Sequence, residues 1–221
     1  MVRDAIHDEV VREQLDQLGL KHFLDVRATV RSLLEHLARL QRAAYAAVVA
    51  DRLVREHESL PAREHVAYAT DWRPALDVVW RGLAGDATAE PEVAHAVGCF
   101  YLSPNFADAR RDDPTDMPGN AAMAAFYAAE SYLHGCVEFA SWAGWRGFDT
   151  AAVHAAADRA WPRRRPPETD PLAWELAHPA IQAELDLQLA EIELLSGEGA
   201  DLLEEPAKRR EFLTRLRRLA A

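Results

Sequence analysis

Glu130, His134 and Glu138, in "AAESYLHGCVEFA", follow one another at intervals of four, so a continuous helix turns all three toward one side. Carboxylate, imidazole and carboxylate form a donor set that metal ions accept. Geometry weakens the idea. From Glu130 to Glu138 a helix rises about 12 Å, while metal–ligand bonds are near 2 Å. One ion can take an adjacent pair, and a second helix must then complete the site. Glu184, Glu191, Glu193 and His154 are the candidates for that half. Dinuclear centres in helix bundles use Glu-x-x-His twice, whereas here the spacing is four and occurs once. The preferred reading is a ladder of ordinary i,i+4 pairs.

Other chemistry-bearing residues are scattered. His57 and His65 in "REHESLPAREH" stand either side of Pro61, which should begin a new helix, so they read as surface histidines on adjoining helices. Cys99 and Cys136 sit in apolar surroundings and fit no zinc or redox spacing, which predicts buried thiols in a reducing compartment. The chain carries no P-loop, no G-x-S-x-G elbow, no H-E-x-x-H and no dinucleotide glycine pattern. Of the six tryptophans, Trp142 and Trp145 lie in "FASWAGWRGF" beside Arg146. Aromatic anchors next to arginine suit an interface, and these three residues are the interface candidates. Tryptophans serve equally as bulk where helices end.

Net charge bounds the partners. At −11 over 221 residues the chain repels phosphate, which excludes general binding to nucleic acid or anionic lipid and permits a basic protein partner. The opening "MVRDAIHDEVVREQ" has charges where a signal peptide needs an apolar run, and no stretch of 18 apolar residues exists. A cytoplasmic protein without a cofactor is expected.

The elements that must hold these residues are helices. Apolar spacing follows a period of 3.6 and no alternating strand appears. A first helix is predicted over 4–18. Lys21 to Leu60 lacks proline and glycine, but forty residues of helix would reach about 60 Å. Breaks are therefore expected near Asp25–Arg27 and Arg39–Arg42. Pro61, Pro74 and Pro91 open further helices, with Leu76, Val79, Trp80 and Leu83 on a core face ending at Gly85. The polar stretch 103–120 predicts a loop with one short turn at 104–110. A helix over 118–142 carries the opening motif, and "GWRGFDT" then reads as a turn capped by Asp149 or Thr150. "WPRRRPPETDP" is a proline-rich connector. Pro171, Pro179 and Pro206 start the remaining helices.

The closing helix is unusual. "KRREFLTRLRRLAA" holds six bases and one acid, with Phe212, Leu213, Leu216 and Leu219 on one stripe, whereas residues 184–205 hold eight acids and no base. Docking of 206–221 with its stripe inward and its arginines toward 184–205 is expected, in preference to a free basic arm. The whole chain 1–221 is then one all-α bundle of about eight to ten helices.

"AAYAAVVADRLVREHESL", "RPALDVVWRGLAG", "FYAAESYLHGCVEFA" and "AELDLQLAEIELLSG" resemble, in order and rough spacing, domain-of-unknown-function family 416, a bacterial family of all-helical single-domain proteins. The resemblance covers roughly residues 35–197. It departs at Ala50-Asp51-Arg52, where the family usually has Cys-Glu-Arg, and at "HESLP". It implies the fold, and no activity or site residue comes with it. The leading functional expectation is a non-enzymatic interaction protein binding itself or a basic partner, in one form an acidic inhibitor or immunity-type protein. The alternative is a metal-dependent enzyme or carrier around Glu130, His134 and Glu138.

Overall fold

Prolines and glycines punctuate ten α-helices in a computed structural model that describes residues 23–66, 71–109, 116–161, 171–199, 203 and 205–219. They are α1 (Phe23–Glu35), α2 (Arg39–Ser59), α3 (Trp72–Leu83), α4 (Ala89–Tyr101), α5 (Pro104–Ala109), α6 (Met117–His134), α7 (Val137–Ala157), α8 (Pro171–Leu176), α9 (Pro179–Ser196) and α10 (Pro206–Leu219). A single 3-10 turn, Ala62–Glu64, follows Pro61 where a full helix was expected. No strand occurs among the described residues, and they form one helical domain. The expected helix over 4–18 and the arginines of the 162–170 connector lie outside the described residues.

Helix α2 is the axis of the bundle. It touches α3, α6, α7, α9 and α10. Its Ala43, Ala44, Ala46, Ala47 and Ala50 are fully buried, and α6 answers with buried Ala121, Ala122, Ala124, Ala125, Ala128 and Ala129. Small side chains on both helices let the backbones approach closely, so packing here comes from contact density more than from large side chains. On the other flank of α2, Leu76, Val79, Trp80 and Leu83 of α3 are buried as their spacing predicts. Trp72 of α3 meets Phe100 of α4 and Phe126 of α6 edge-on at 4.8 and 5.9 Å, and the two phenylalanine rings meet tilted at 5.7 Å, which locks that corner.

Three boundaries differ from expectation. Of the two breaks expected in the long N-terminal stretch, the one near Arg39–Arg42 falls just ahead of it at 36–38, whereas α1 runs unbroken through Asp25–Arg27. The buried Leu34 and Leu37 pull the chain inward there, and the extended Ala38 donates its N–H to Gln41 Oε1 at 2.5 Å. The helix expected over 118–142 stops at His134. Gly135 takes a left-handed φ of 66°, which ends α6 and starts a sharp hairpin into α7. Finally, "GWRGFDT" is no turn. It lies inside α7, where Gly144 and Gly147 face other helices. A Cβ on Gly144 would stand 2.3 Å from Tyr45 Oη, and one on Gly147 would stand 2.2 Å from Glu184 Oε1. Those glycines are there for close approach.

Helix α10 is amphipathic as its stripe predicts. Phe212, Leu213 and Leu216 are 2%, 4% and 0% exposed; the Leu219 side chain lies outside the described residues.

Candidate interaction site and buried charge networks

The hairpin at Gly135 decides the fate of the opening motif. Glu130 and His134 share α6, with His134 Nε2 3.1 Å from Glu130 Oε2. Glu138 belongs to α7 instead, where it accepts from Arg31 Nη2 at 2.9 Å and from Cys136 Sγ at 2.6 Å. The Cys136 bond, with smaller help from Arg31, holds the Glu138 carboxyl below its usual value. The three residues therefore do not form one ladder. Their expected complements lie elsewhere: His154 bonds Glu56 at 2.6 Å, and Glu184 and Glu191 are held by Arg52. Among the described residues no group of three or more His, Cys, Asp or Glu side chains is placed to hold a metal ion.

The histidines of "REHESLPAREH" do meet. Their rings lie 5.3 Å apart, with His57 buried and accepting the Val66 N–H at Nε2, 3.2 Å away. Burial, then the neighbouring His65, push the His57 pKa down, so the ring stays neutral and the bond survives. This fastens the chain after Pro61 back onto α2.

Two charge networks inside the bundle have no counterpart in the sequence reading. In the first, Arg52 of α2 donates to Glu184 Oε1 at 2.8 Å and Glu191 Oε1 at 2.5 Å, both on α9. Gln188 donates to Glu184 Oε1 at 2.6 Å and to the Gly144 carbonyl of α7 at 2.8 Å, while Tyr45 Oη donates to Gln188 Oε1 at 2.6 Å. Two carboxylates thus share one guanidinium in a buried place. Burial pushes the Glu191 carboxyl up to about 7, opposed by Arg52 and assisted by Glu184. Burial also raises Tyr45, which stays a phenol and a donor. Glu191 titrates where a general acid would, but it is only 1% exposed, out of reach of a substrate.

The second network centres on Asp51, wholly buried on the same helix. Arg55 Nη2 lies 2.7 Å from Asp51 Oδ2, Arg73 of α3 bonds Oδ1, and Arg217 of α10 reaches Oδ2 at 3.2 Å. Glu58 and Asp77 balance the surplus, pairing with Arg73 at 2.7 Å and Arg217 at 2.5 Å. The docked position of α10 is thus set mainly by α2 and α3. Toward the 184–205 region, Arg215 pairs with Glu198 and Lys208 with Glu205. Asp51 and Arg52 were met only as a departure from the family pattern, and their burial was missed because a charge in a helical segment normally marks the wet face. The available signal was their position inside the apolar run "YAAVVADRLV".

The aromatic residues separate into roles. Trp72 and Trp80 are core; Trp161, Trp174 and His178 cluster at 4.7 and 4.8 Å and cap the ends of α7 and α9. Trp142, Trp145 and Arg146, the three interface candidates, line one surface pocket of about 240 Å³ together with Arg27 of α1 and Tyr127 of α6. Trp142 is 37% exposed. Its ring meets Tyr127 and Phe139 at 5.4 Å each, so a continuous aromatic surface runs across the α6–α7 hairpin. The Arg27 guanidinium lies 5.0 Å from the Trp145 ring centre, and Asp149 and Asn120 hold Arg146 Nη1 at 3.0 and 3.4 Å. Spacing along α7 supplied three of the five residues; Tyr127 comes from the preceding helix across the hairpin, and Arg27 from α1, distant in sequence.

No family model matches the chain, and neither does any curated protein or any solved structure. The likeness to family 416 stays an expectation, and no function follows from it. Among the described residues no helix is long and apolar enough to cross a membrane.

Proposed function

We propose that this is a non-enzymatic interaction protein that binds a protein partner through the aromatic face of the α6–α7 hairpin. The observation that carries this reading is the exposure of Trp142 in a row with Tyr127 and Phe139, against a pocket bearing two arginines. Large rings left in water beside guanidinium groups have the composition of an interface hot spot. The Arg52–Glu184–Gln188 network serves this surface by fixing α7 between α2 and α9. Net charge −11 favours a partner that is neutral or basic overall. The acidic-inhibitor form of the proposal rests on that charge alone. Cys99 is exposed and Cys136 half-buried, not buried as expected; both are free thiols, which accords with the proposed cytoplasmic location.

The test compares affinity purification from the native cell with wild type, Trp142→Asp and, as a control on another exposed apolar residue, Leu187→Asp. A species retained in stoichiometric amount by wild type and Leu187→Asp, and lost with Trp142→Asp at unchanged melting temperature, supports the reading. A complex indifferent to Trp142 sinks it.

A further inference from the structure

We propose that the pocket between α1, α6 and α7 receives a carboxylate side chain carried on an apolar segment of that partner. This rests on the interaction reading above and specifies what the partner presents. Three rings, Tyr127, Trp142 and Trp145, wall the pocket, and Arg27 and Arg146 line it with them. An aromatic cage alone would take a cation. Two guanidinium groups reverse that preference: they repel a cation and offer a carboxylate charge-assisted hydrogen bonds.

Arg27 carries most of the argument. The Arg27 guanidinium carbon lies over the Trp145 ring, 5.0 Å from its centre, and the N–H donors of a guanidinium lie in its own plane. Among the described residues no carboxylate pairs with Arg27. Arg146 is different: Asp149 and Asn120 hold it in place and partly offset its charge. It therefore positions the site and adds a weaker attraction.

Size and setting decide between a free small molecule and a side chain. About 240 Å³ is less than the roughly 300–1,000 Å³ of ordinary small-molecule pockets. The exposed ring of Trp142 lines the pocket and meets Phe139 beside it at 5.4 Å. A small acid would leave those rings wet. A carboxylate flanked by apolar residues fills the pocket and covers them. The rest of the partner must be neutral or basic, since the chain's net charge of −11 disfavours a wholly acidic surface.

Trp142 and Trp145 report on the site by fluorescence. The full chain is titrated with the blocked tripeptide Phe-Glu-Phe, its Phe-Gln-Phe counterpart and 3-phenylpropionate, with NMR line shifts as a second readout. The glutamate peptide is expected to bind at least tenfold tighter than the glutamine peptide. That difference should shrink at high salt, vanish in Arg27→Gln and return in part in Arg27→Lys, with melting temperatures unchanged. Equal binding of both peptides would mean that rings alone make the contact, which overturns the carboxylate and leaves the interaction reading intact. Phenylpropionate binding as tightly as the glutamate peptide would make this a small-acid pocket and overturn the peptide assignment. Failure of both peptides to bind also overturns it, while the Trp142→Asp purification judges the broader reading independently.

Discussion

Arg217 of α10 and Asp51 of α2, 166 positions apart in the chain, meet with Nε 3.2 Å from Oδ2. Asp51 is fully buried and is also the partner of Arg55 and Arg73. One carboxylate therefore fixes the relation of three helices. Asp51→Ala should leave converging guanidinium groups with Glu58 and Asp77 as the remaining counter-charges. Removing one partner from a buried charge network costs about 3–5 kcal/mol, and urea titration should show that loss. A loss below about 1 kcal/mol would mean that water replaces Asp51 freely.

Deleting residues 206–221 tests the docking of α10. Phe212, Leu213 and Leu216 leave the core with it, and a single Leu→Ala in such a position costs about 2–5 kcal/mol. A marked fall in melting temperature is expected, with no RNA or liposome binding by the intact chain. An unchanged melting temperature, together with salt-sensitive RNA binding that the deletion abolishes, would make α10 a functional arm instead.

Glu191 gives a pH signature. Its folded pKa, about 7, lies above the ordinary 4.5, so the fold holds a proton that the unfolded chain releases. The stability from this group is full below pH 4.5 and is lost as pH rises through 7. His57 and His178 act in the opposite sense. Burial lowers both from 6.5, so their contribution is present above 6.5 and declines as pH falls. Comparison with Glu191→Gln isolates the carboxyl: the variant should gain on wild type as pH rises from about 4.5 to 7. A constant difference across that range would show that Glu191 stays ionised throughout.

The glycines of α7 and α4 should respond in opposite directions to alanine. Gly147→Ala forces a Cβ against Glu184, whose carboxylate is fixed by Arg52 and Gln188, and overpacking of this kind costs about 1–3 kcal/mol. Gly98 has nothing within 4 Å of its Cβ position, so Gly98→Ala should gain about 0.5–1 kcal/mol from helix propensity. Thermal melts of the two variants decide, and a stabilising Gly147→Ala would contradict the close approach of α7 and α9.

The same glycines mark how far the sequence can be read. Helical class and most helix starts were legible, because a period of 3.6 and a proline in the first turn are local signals. Pro74, Pro91, Pro104, Pro179 and Pro206 all stand in the first turn of a helix. Glycine is ambiguous by comparison. Gly135 ends a helix and Gly144 and Gly147 continue one, and only the identity of what lies opposite distinguishes them. The expected ladder through Glu138 failed for that reason. The pocket was half legible: Trp142, Trp145 and Arg146 share one helix face, while Arg27 and Tyr127 join them through tertiary packing. The apolar run around Asp51 was a signal of its burial, but its partners at 73 and 217 were illegible because they are long-range.

The link between Asp51 and Arg217 has a consequence for biosynthesis. Asp51 leaves the ribosome before Arg217, which, with Phe212 and Leu216 beside it, follows every other described helix. During translation α2 therefore waits with one of its three arginines missing and its flank uncovered. Native closure becomes a late event, coupled to completion of α10, and premature termination before that helix yields a chain with an exposed acid and an open apolar seam for chaperones or proteases to engage.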